Sequence, residues 1–342
     1  MDRVLIVRLG ALGDIVHAIP VAAAVRRAFP AVRIDWLVSA KHRELLDLVP
    51  VIDRRLAIAA QGGRSILGAI GELRRARYDV ALDLQGLLKS AVLARSSGAS
   101  RVIGFASSYL RERLARPFYT DVYDPGCGDL YDPRETRHVI EINLGLLRPL
   151  GVDITSPEFP IEPVDSEVAR AVRERTGGRY ALLNPGARWP NKRWPASRLA
   201  LVADALCERY GLMSMVLWGE GEQSLAEDVV ARANGTAFLS PPTTIGDLVA
   251  LARGAALMLS GDTGPMHIAA AVGTPVVSFF GPTRPSRNGP WSPHDVTVSR
   301  DEVCQCHHLR RCKLDTMCLV DIQVDEVIAA IERRLAVESS HV

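Results

Sequence analysis

The 342-residue sequence predicts an α/β protein with two Rossmann-like, doubly wound domains that face each other across a cleft. Three observations predict this fold class. The chain is longer than one hydrophobic core usually supports. Its apolar runs are short and rich in β-branched residues, as in strands that are buried on both faces. Helical patterns alternate with these runs along the whole chain.

The first half begins the alternation with an apolar run directly after its N-terminus. Strands are predicted at 4–7, 34–38, 80–84 and 102–104. Helical patterns separate them at 21–29, 64–77 and 87–95. A proline-containing stretch at 156–163 then interrupts the pattern and is typical of an extended linker. We therefore expect two domains, at 1–160 and 161–342.

The second half repeats the same alternation. Strands are predicted at 180–184, 213–218, 256–260 and 276–280, and helices at 196–210, 224–233 and 265–272. This order implies a second doubly wound sheet. A last amphipathic helix is expected at 324–335, and its pattern leaves open which domain it packs against.

The composition excludes several classes of protein. With 48% hydrophobic and 23% charged residues, the chain is close to the average for soluble globular proteins. No apolar run approaches the roughly 18 to 20 residues of a membrane-spanning helix, and Met1 leads into a predicted strand instead of a signal peptide. Six cysteines in a chain of this length do not indicate a disulfide scaffold. We expect a cytoplasmic protein with reduced thiols.

The charges are unevenly distributed. Residues 1–150 contain 22 Lys and Arg against 16 Asp and Glu, whereas the remainder contains 19 against 23. Most of the basic excess lies at 54–116, where 12 basic residues accompany four acidic ones. Two interpretations stay open: solvated helix faces, or attraction to an anionic partner such as a phosphorylated lipid.

The segment 259–273 predicts an anion site. It combines a strand, a tight turn and a helix, with proline and glycine at the positions that begin and end helices. The free N–H groups at the start of such a helix favour an anion, at the strand end where ligands bind in open α/β sheets. Asp262 and His267 would flank it. The alternative is that Asp262 or Thr263 simply caps the helix and that His267 is an ordinary surface residue.

Two further strand ends in the second half carry charged residues. The loop at 184–195 contains Lys192 and Arg193 beside two tryptophans, and these cations could neutralise a diphosphate leaving group without a metal ion. The alternative is a solvated loop anchored by its tryptophans. The segment 218–222 adds a carboxylate that could hold ribose hydroxyls.

In the first half, the glycines at 10 and 13 lead to Asp14. Their spacing is not the G-x-G-x-x-G pattern of dinucleotide-binding proteins, which disfavours a nicotinamide cofactor. A lone carboxylate at the end of a strand can act as general base on an attacking hydroxyl, and glycines allow a substrate to approach the backbone closely. The alternative is that Asp14 caps the following helix.

The end of the chain contains residue types that bind zinc or iron–sulfur clusters: Cys304, Cys306, His307, His308, Cys312 and Cys318. Their spacing differs from that of zinc ribbons and fingers, in which cysteines pair two to four residues apart. We assign no metal ligand here, and both metal binding and incidental thiols stay open.

Four segments together resemble glycosyltransferase family 9, namely 4–14, 78–90, 192–195 and 261–267. The resemblance spans nearly the whole chain, and the combination is specific although each motif alone is not. Within the family, the first half is most similar to lipopolysaccharide heptosyltransferase I, especially at 34–38 and 111–120. The cysteine-rich end is more similar to heptosyltransferase II, which leaves the acceptor open between Kdo and an attached heptose.

The resemblance implies a GT-B fold and an inverting transfer of heptose from ADP-L-glycero-β-D-manno-heptose to Kdo-lipid A or a core oligosaccharide. It also implies a peripheral location at the inner leaflet of the inner membrane, without cofactor, metal or nucleic-acid partner. No Asp-x-Asp pair occurs in the chain, which agrees with metal-independent transfer. The alternatives are another family 9 sugar transferase and, from other classes, a nucleotide-sugar epimerase or a metal or redox module.

The resemblance also implies roles for individual residues. Asp14 would be the general base and Lys192 would neutralise the diphosphate. The remaining donor residues would be Glu222 at the ribose, Asp262 at the heptose, and Thr263, Gly264 and His267 at the phosphates. Glu220 is an alternative to Glu222, because the local alignment slides. For an anionic acceptor, the basic stretch predicts binding by Arg54, Arg55 and Arg64.

Overall fold

The computed structural model describes residues 1–59, 63–126, 128–130, 132, 135–153, 156–304, 309–312 and 317–339, apart from the side chains of 63–67 and 338–339. The chain divides into two compact units, Met1–Glu162 and Pro163–Val342. The boundary expected from the sequence, after residue 160, lies close to this division. Each unit contains one sheet with helices, and each is described here by itself.

The first unit contains a six-stranded sheet in its described part. Its strands are β1 (Arg3–Val7), β2 (Arg33–Ser39), β3 (Arg54–Ile58), β4 (Val80–Asp83), β5 (Arg101–Phe105) and β6 (Asp121–Tyr123). Its described helices are α1 (Leu12–Val16), α2 (Ile19–Ala28), α3 (Arg43–Asp47), α4 (Gly63–Ala76), α5 (Leu88–Ser96) and α6 (Val139–Gly145). The strand order β3-β2-β1-β4-β5-β6, with parallel pairing, is that of the Rossmann fold.

The central strand β1 explains why this sheet forms. Four of its five residues, Val4 to Val7, are completely buried. Both faces of a parallel sheet are covered by helices, so an interior strand is apolar at every position instead of at alternate ones. The carboxyl ends of all its strands lie at one edge, and β1 opens there into the segment that carries Asp14.

The second unit repeats this architecture. Its strands are β7 (Tyr180–Asn184), β8 (Met213–Val216), β9 (Ala237–Leu239), β10 (Leu257–Gly261), β11 (Val276–Phe280) and β12 (Val296–Ser299). Its described helices are α7 (Glu167–Thr176), α8 (Ala196–Tyr210), α9 (Gln223–Arg232), α10 (Ile245–Gly254), α11 (Gly264–Ala271), α12 (Pro285–Asn288) and α13 (Val324–Ser339). The parallel order β12-β11-β10-β7-β8-β9, counted from β7, matches that of the first sheet. The predicted α/β class with two Rossmann-like units is confirmed.

Helix α13 packs within the second unit, which settles the choice that its sequence left open. It buries Val327, Ala330 and Ile331 in the core of that unit and contacts β11, β12 and α8. Arg334 on the same helix forms an ion pair with Asp295, with 2.8 Å between Nε and Oδ1, and both side chains are almost fully buried. Among the described helices, none combines the length and the apolar character needed to cross a bilayer.

Candidate active site

The segment predicted to bind an anion lies at the carboxyl edge of the second sheet. Strand β10 ends at Gly261 and α11 begins at Gly264, one residue earlier than predicted, with Thr263 as its N-cap. Pro265 is therefore its second residue. The first backbone N–H groups of a helix have no acceptor within it, and they carry the positive end of the helix dipole. Residues 263–266, apart from Pro265, thus present backbone N–H donors at the strand's end.

Asp262 is the centre of a cluster of side chains. Its Oδ2 accepts hydrogen bonds from Lys192 Nζ at 2.5 Å and from Thr283 Oγ1 at 2.7 Å. Its Oδ1 lies 3.1 Å from His267 Nε2. Burial alone would raise the pKa of Asp262, but the Lys192 cation and the His267 hydrogen bond outweigh it and hold the pKa well below its usual range. Asp262 is therefore ionised at neutral pH.

Lys192 reaches this cluster from the loop after β7. It ends a short 3-10 helix, Pro190–Lys192, and its Nζ lies 4.7 Å from the centroid of the Trp189 ring. Strands β7 and β10 are neighbours in the sheet, and this brings their two loops together. They approach so closely that a Cβ on Gly261 would lie 2.7 Å from the Lys192 carbonyl oxygen. The Lys192 side chain is 15% exposed, so the cation is accessible only in part.

Thr263 uses its side chain within the fold. Its hydroxyl accepts a hydrogen bond from Asn184 Nδ2 at 3.0 Å and lies 3.0 Å from Ser260 Oγ. Asn184, the last residue of β7, is buried and also contacts Ser260 at 3.1 Å. These bonds tie the turn before α11 to the neighbouring strand.

The two carboxylates after β8 occupy different places. Glu222 lies against Gly186 in the loop after β7, so closely that a Cβ at position 186 would overlap the Glu222 Oε2. Its Oε1 also lies 3.7 Å from Arg193 Nη2. Glu220 is exposed. The structure therefore brings Glu222, and not Glu220, to the same strand ends as Lys192 and Asp262.

Asp14 lies at the corresponding edge of the first sheet. It is the third residue of α1, whose N-cap is Ala11, so Asp14 is not itself the N-cap. Its Oδ2 accepts a hydrogen bond from the Ala11 backbone N–H at 2.9 Å and pairs with Arg8 Nη2 at 2.8 Å. The side chain keeps 38% of its surface exposed, so a second molecule can reach it.

The surroundings of Asp14 keep it ionised. Desolvation raises the pKa of Asp14, but the Arg8 charge, the Ala11 and Arg8 hydrogen bonds and the more distant Arg111 charge together lower the pKa below its ordinary value. Nearby His42 packs against Gly10. Burial and the adjacent Lys41 lower the pKa of His42 to about 4, so its ring is neutral at pH 7. A general base must be unprotonated, and Asp14 meets this requirement.

The arginines predicted to bind an acceptor are not brought together with Asp14. Arg54 and Arg55 begin β3 and so lie at the amino edge of the parallel sheet, about 15 Å from its carboxyl edge. Arg54 pairs with Glu72, and Arg55 donates to the Leu46 and Val49 carbonyl oxygens at 2.9 and 2.7 Å. The Arg64 side chain lies outside the described residues. The acceptor-binding role of the three arginines stays a prediction.

The cysteine-rich end is described only in part. Cys304 is buried and Cys312 and Cys318 are half-buried, whereas Cys306, His307 and His308 lie outside the described residues. In the part of the chain that the structure covers, no three His, Cys, Asp or Glu side chains are grouped as metal ligands.

Three residues of the two sites were not assigned a role from the sequence. Arg8 and Asn184 lie within motifs that were recognised, and their position at strand ends was the available signal. Thr283 follows β11 in a loop with no recognised motif. Only the adjacency of β10 and β11 brings its hydroxyl to Asp262, and the sequence alone does not specify that adjacency.

The chain matches a family model and is similar in sequence to known proteins. A model of "Glycosyltransferase family 9 (heptosyltransferase)" matches residues 67–317. Lipopolysaccharide heptosyltransferase 1 of Pseudomonas aeruginosa is 29% identical over 312 residues, covering 88% of this chain and 85% of the relative. Lipopolysaccharide heptosyltransferase 3 of Escherichia coli K12 is 27% identical over 340 residues, covering 94% and 95%.

Solved structures are similar over nearly the full length. A family 9 glycosyltransferase from Veillonella parvula superposes with a TM-score of 0.79 at 24% identity, covering 98% of this chain and 97% of that one. E. coli heptosyltransferase WaaC with ADP gives a TM-score of 0.76 at 21% identity, covering 97% and 99%. At these identities the likeness shows the fold, and the predicted GT-B class is confirmed.

Proposed function

We propose that this chain, which belongs to glycosyltransferase family 9, moves a heptose from ADP-L-glycero-β-D-manno-heptose to Kdo in the inner core of lipopolysaccharide, with inversion. It is a glycosyltransferase of a heptosyltransferase family. The observation that carries the proposal is the Lys192–Asp262–His267 cluster at the start of α11, a site suited to a sugar diphosphate. The names of its relatives, lipopolysaccharide heptosyltransferases 1 and 3, support the substrate class.

In this proposal the second unit binds the donor. The backbone at Thr263 and Gly264, together with His267, holds the phosphates at the start of α11. Lys192 stands beside this place and neutralises the charge that develops on the departing ADP. The carboxylates of Glu222 and Asp262 complete the proposed donor site.

Glu222 is proposed to hold the ribose hydroxyls and Asp262 the heptose hydroxyls. Both carboxylates lie at the carboxyl edge of the second sheet, and their oxygens can accept hydrogen bonds from sugar hydroxyls. Asp262 already accepts bonds from Lys192 and Thr283. It therefore orients Lys192 as well as the sugar.

Asp14 is proposed to be the general base. It removes the proton of an acceptor hydroxyl, the freed oxygen attacks the anomeric carbon of the heptose, and the bond to the diphosphate breaks on the opposite face. A single displacement inverts the anomeric centre and requires one base and a stabilised leaving group, but no enzyme nucleophile. The lowered pKa of Asp14 keeps the carboxylate ready to accept this proton at neutral pH.

The acceptor is proposed to be the anionic Kdo region of a lipid at the inner leaflet, with the first unit binding it. The basic excess of 54–116 supports this proposal. Arg111 is exposed and is close enough to lower the pKa of Asp14, so it is a further cation on the acceptor side. Arg54, Arg55 and Arg64 stay predictions, tested in the same assay by neutralising them together.

The deciding experiment is a transfer assay with a panel of ADP-sugars against Kdo-lipid A, heptosylated Kdo-lipid A and no acceptor. We expect ADP release and a new glycosidic bond only with ADP-heptose and Kdo-lipid A together. Product formed only on the heptosylated acceptor would instead assign the chain to a later heptose addition. Sugar isomerised or released without acceptor would contradict the proposal and indicate an epimerase.

A further inference from the structure

The orientation of the Asp14 carboxylate depends on the segment that precedes it. Ala11 and Arg8, which contact Asp14 Oδ2, both belong to residues 8–11, which form neither helix nor strand. One side of this segment is fixed by β2, because the Leu9 carbonyl oxygen accepts a hydrogen bond from the Ser39 backbone N–H at 3.1 Å. Its other side faces the turn after β4, and side chains supply the contacts there.

The Gln85 side chain holds this second side. Its Oε1 accepts the Leu9 backbone N–H at 2.8 Å, and its Nε2 donates to the Gly10 carbonyl oxygen at 3.1 Å. Both ends of one planar amide therefore bind consecutive residues just before Ala11. Arg8 adds a second link, because its Nη1 donates to the Leu84 carbonyl oxygen. The turn after β4 thus sets the position of the backbone that orients Asp14.

Gln85 is itself fixed by a buried carboxylate. Asp83 Oδ1 accepts the backbone N–H groups of Gln85 at 2.9 Å and Gly86 at 3.3 Å. Asp83 Oδ2 accepts hydrogen bonds from the hydroxyls of Ser90 at 2.9 Å and Tyr119 at 2.8 Å. Asp83 is completely buried, so these four partners replace water around it. The result is a turn with little freedom to move away from residues 8–11.

We infer that Gln85 is a positioning residue that holds Asp14 in its catalytic place; the inference rests on the proposed function. A side-chain amide is required, because it offers an acceptor to Leu9 and a donor to Gly10 at once. Glutamate has the same size but no donor and would set a charge against the Gly10 carbonyl. Methionine has a similar length and offers neither strong group. The segment 78–90, which contributed to the family resemblance without a role, thereby gains one.

The test uses Gln85→Glu and Gln85→Met in the full-length protein. Hydrogen exchange of the peptide covering 8–14 should be faster in both variants. Methionine leaves the Leu9 N–H without its acceptor, and glutamate repels the Gly10 carbonyl oxygen and so loosens the segment. The kcat for transfer should fall by up to about 100-fold, since a small displacement of a reacting group has an effect of that size. The KM for the donor should stay unchanged, because the donor groups belong to the other unit.

A matched control is Gln323→Glu. The Gln323 side chain also donates to a backbone carbonyl, that of Asp321 at 2.8 Å, but lies in the second unit. The Gln323→Glu variant should have the wild-type kcat and the wild-type rate of hydrogen exchange at 8–14. Thermal unfolding and exchange of the second sheet in each Gln85 variant confirm that the protein is folded.

The inference would be overturned if both Gln85 variants exchanged 8–14 at the wild-type rate, or if exchange became faster while the kcat stayed unchanged. A larger donor KM with a normal kcat would also contradict it. If the wild-type protein transfers no heptose, the proposed function fails. The exchange measurement still decides in that case whether Gln85 holds the segment.

Discussion

Lys192 and Asp262, which were predicted to contact different parts of the donor, contact each other at 2.5 Å. An ion pair of this kind keeps a flexible lysine at one place before the diphosphate arrives. Because Thr283 and His267 also hold Asp262, the cation is attached to a fixed carboxylate. The proposed donor site therefore holds its lysine on a rigid support, which favours preorganised charge stabilisation.

Replacing Lys192 by methionine tests this arrangement. Lys192→Met should weaken donor binding and slow transfer together, because a cation beside the diphosphate acts on the bound donor and on the departing ADP. The loss of a hydrogen bond to a charged group should lower the donor affinity, and likewise the rate, by about 10- to 100-fold. Titration calorimetry with ADP and steady-state kinetics measure both effects. Arg188→Met, at an exposed position of the same loop, is the control and should change little. Unchanged affinity and rate in Lys192→Met would exclude this role.

Arg8 is expected to set the pH range in which Asp14 works. Because the Arg8 charge lowers the pKa of Asp14, the acid limb of kcat/KM should lie below the ordinary Asp value of about 4 in the wild type. Removing this charge in Arg8→Gln raises the pKa, so the acid limb should move to higher pH. A pH–rate profile of both proteins, extended on the acid side below the ordinary Asp pKa of about 4, measures the shift. An identical acid limb in both would separate Arg8 from the proton transfer.

At the residue scale, sequence reasoning found the side chains that lie in motifs and missed those that support them. Asp14, Lys192 and Asp262 follow predicted strands, so the rule that ligands bind at carboxyl ends of strands was enough to select them. Gln85 and Thr283 act through contacts with other strands, and these depend on strand order. A single sequence does not specify that order. The choice between Glu220 and Glu222 was open because the local alignment slides, and only the contact of Glu222 with the loop after β7 distinguishes the two.

At the scale of elements, the unpredicted strands share one property. They are β3, β6, β9 and β12, which form the two edges of each sheet. An edge strand is covered incompletely, so it lacks the continuous apolar run that identified the interior strands. Strand β3, for example, begins with two arginines and has exposed and half-buried positions. The interior strands were predicted because burial on both faces dictates their composition, whereas short helices such as α3 and α12 were not predicted.

Helix α13 offers a test of how the second unit is held together. The Arg334–Asp295 pair is buried at the contact between α13 and the strands. Arg334→Leu leaves the Asp295 carboxylate buried without its cation, which costs about 3 to 5 kcal/mol. The midpoint temperature of thermal unfolding should decrease by about 10 °C. Since burial raises the pKa of Asp295, the loss should shrink at acidic pH, where the carboxyl takes a proton.

The matched control for this prediction lies on the same helix. Glu332 pairs with Arg209, but both side chains are about half exposed. Glu332→Gln should therefore cost less than about 1 kcal/mol. Equal loss of stability in Arg334→Leu and Glu332→Gln would show that burial does not distinguish the two pairs.

At the scale of the whole molecule, the uneven charge predicts different responses to salt. The basic excess lies in the first half and the acidic excess in the second. Exposed charges are screened over about 10 Å at 0.1 M ionic strength. Raising the salt concentration should therefore increase the KM for an anionic acceptor more than the KM for the donor. Steady-state kinetics at 0.05 and 0.5 M salt measure both constants.

Two sets of variants locate the acceptor contacts within that charge. Arg111→Gln should raise the acceptor KM and reduce its dependence on salt, because Arg111 lies near Asp14. Joint neutralisation of Arg54, Arg55 and Arg64 tests the sequence-based prediction in the same assay. An acceptor KM insensitive to salt and to every one of these substitutions would mean that the basic stretch is only a solvated surface.

The most direct test of the account is the transfer rate of Asp14→Asn compared with its affinity for ADP. The substitution preserves the size of the side chain but removes its ability to accept a proton. General base catalysis contributes about 100- to 10,000-fold, so the kcat for heptose transfer should fall by that factor. The affinity for ADP should be unchanged, because the donor groups belong to the second unit. A kcat near the wild-type value would contradict the central claim that Asp14 is the base.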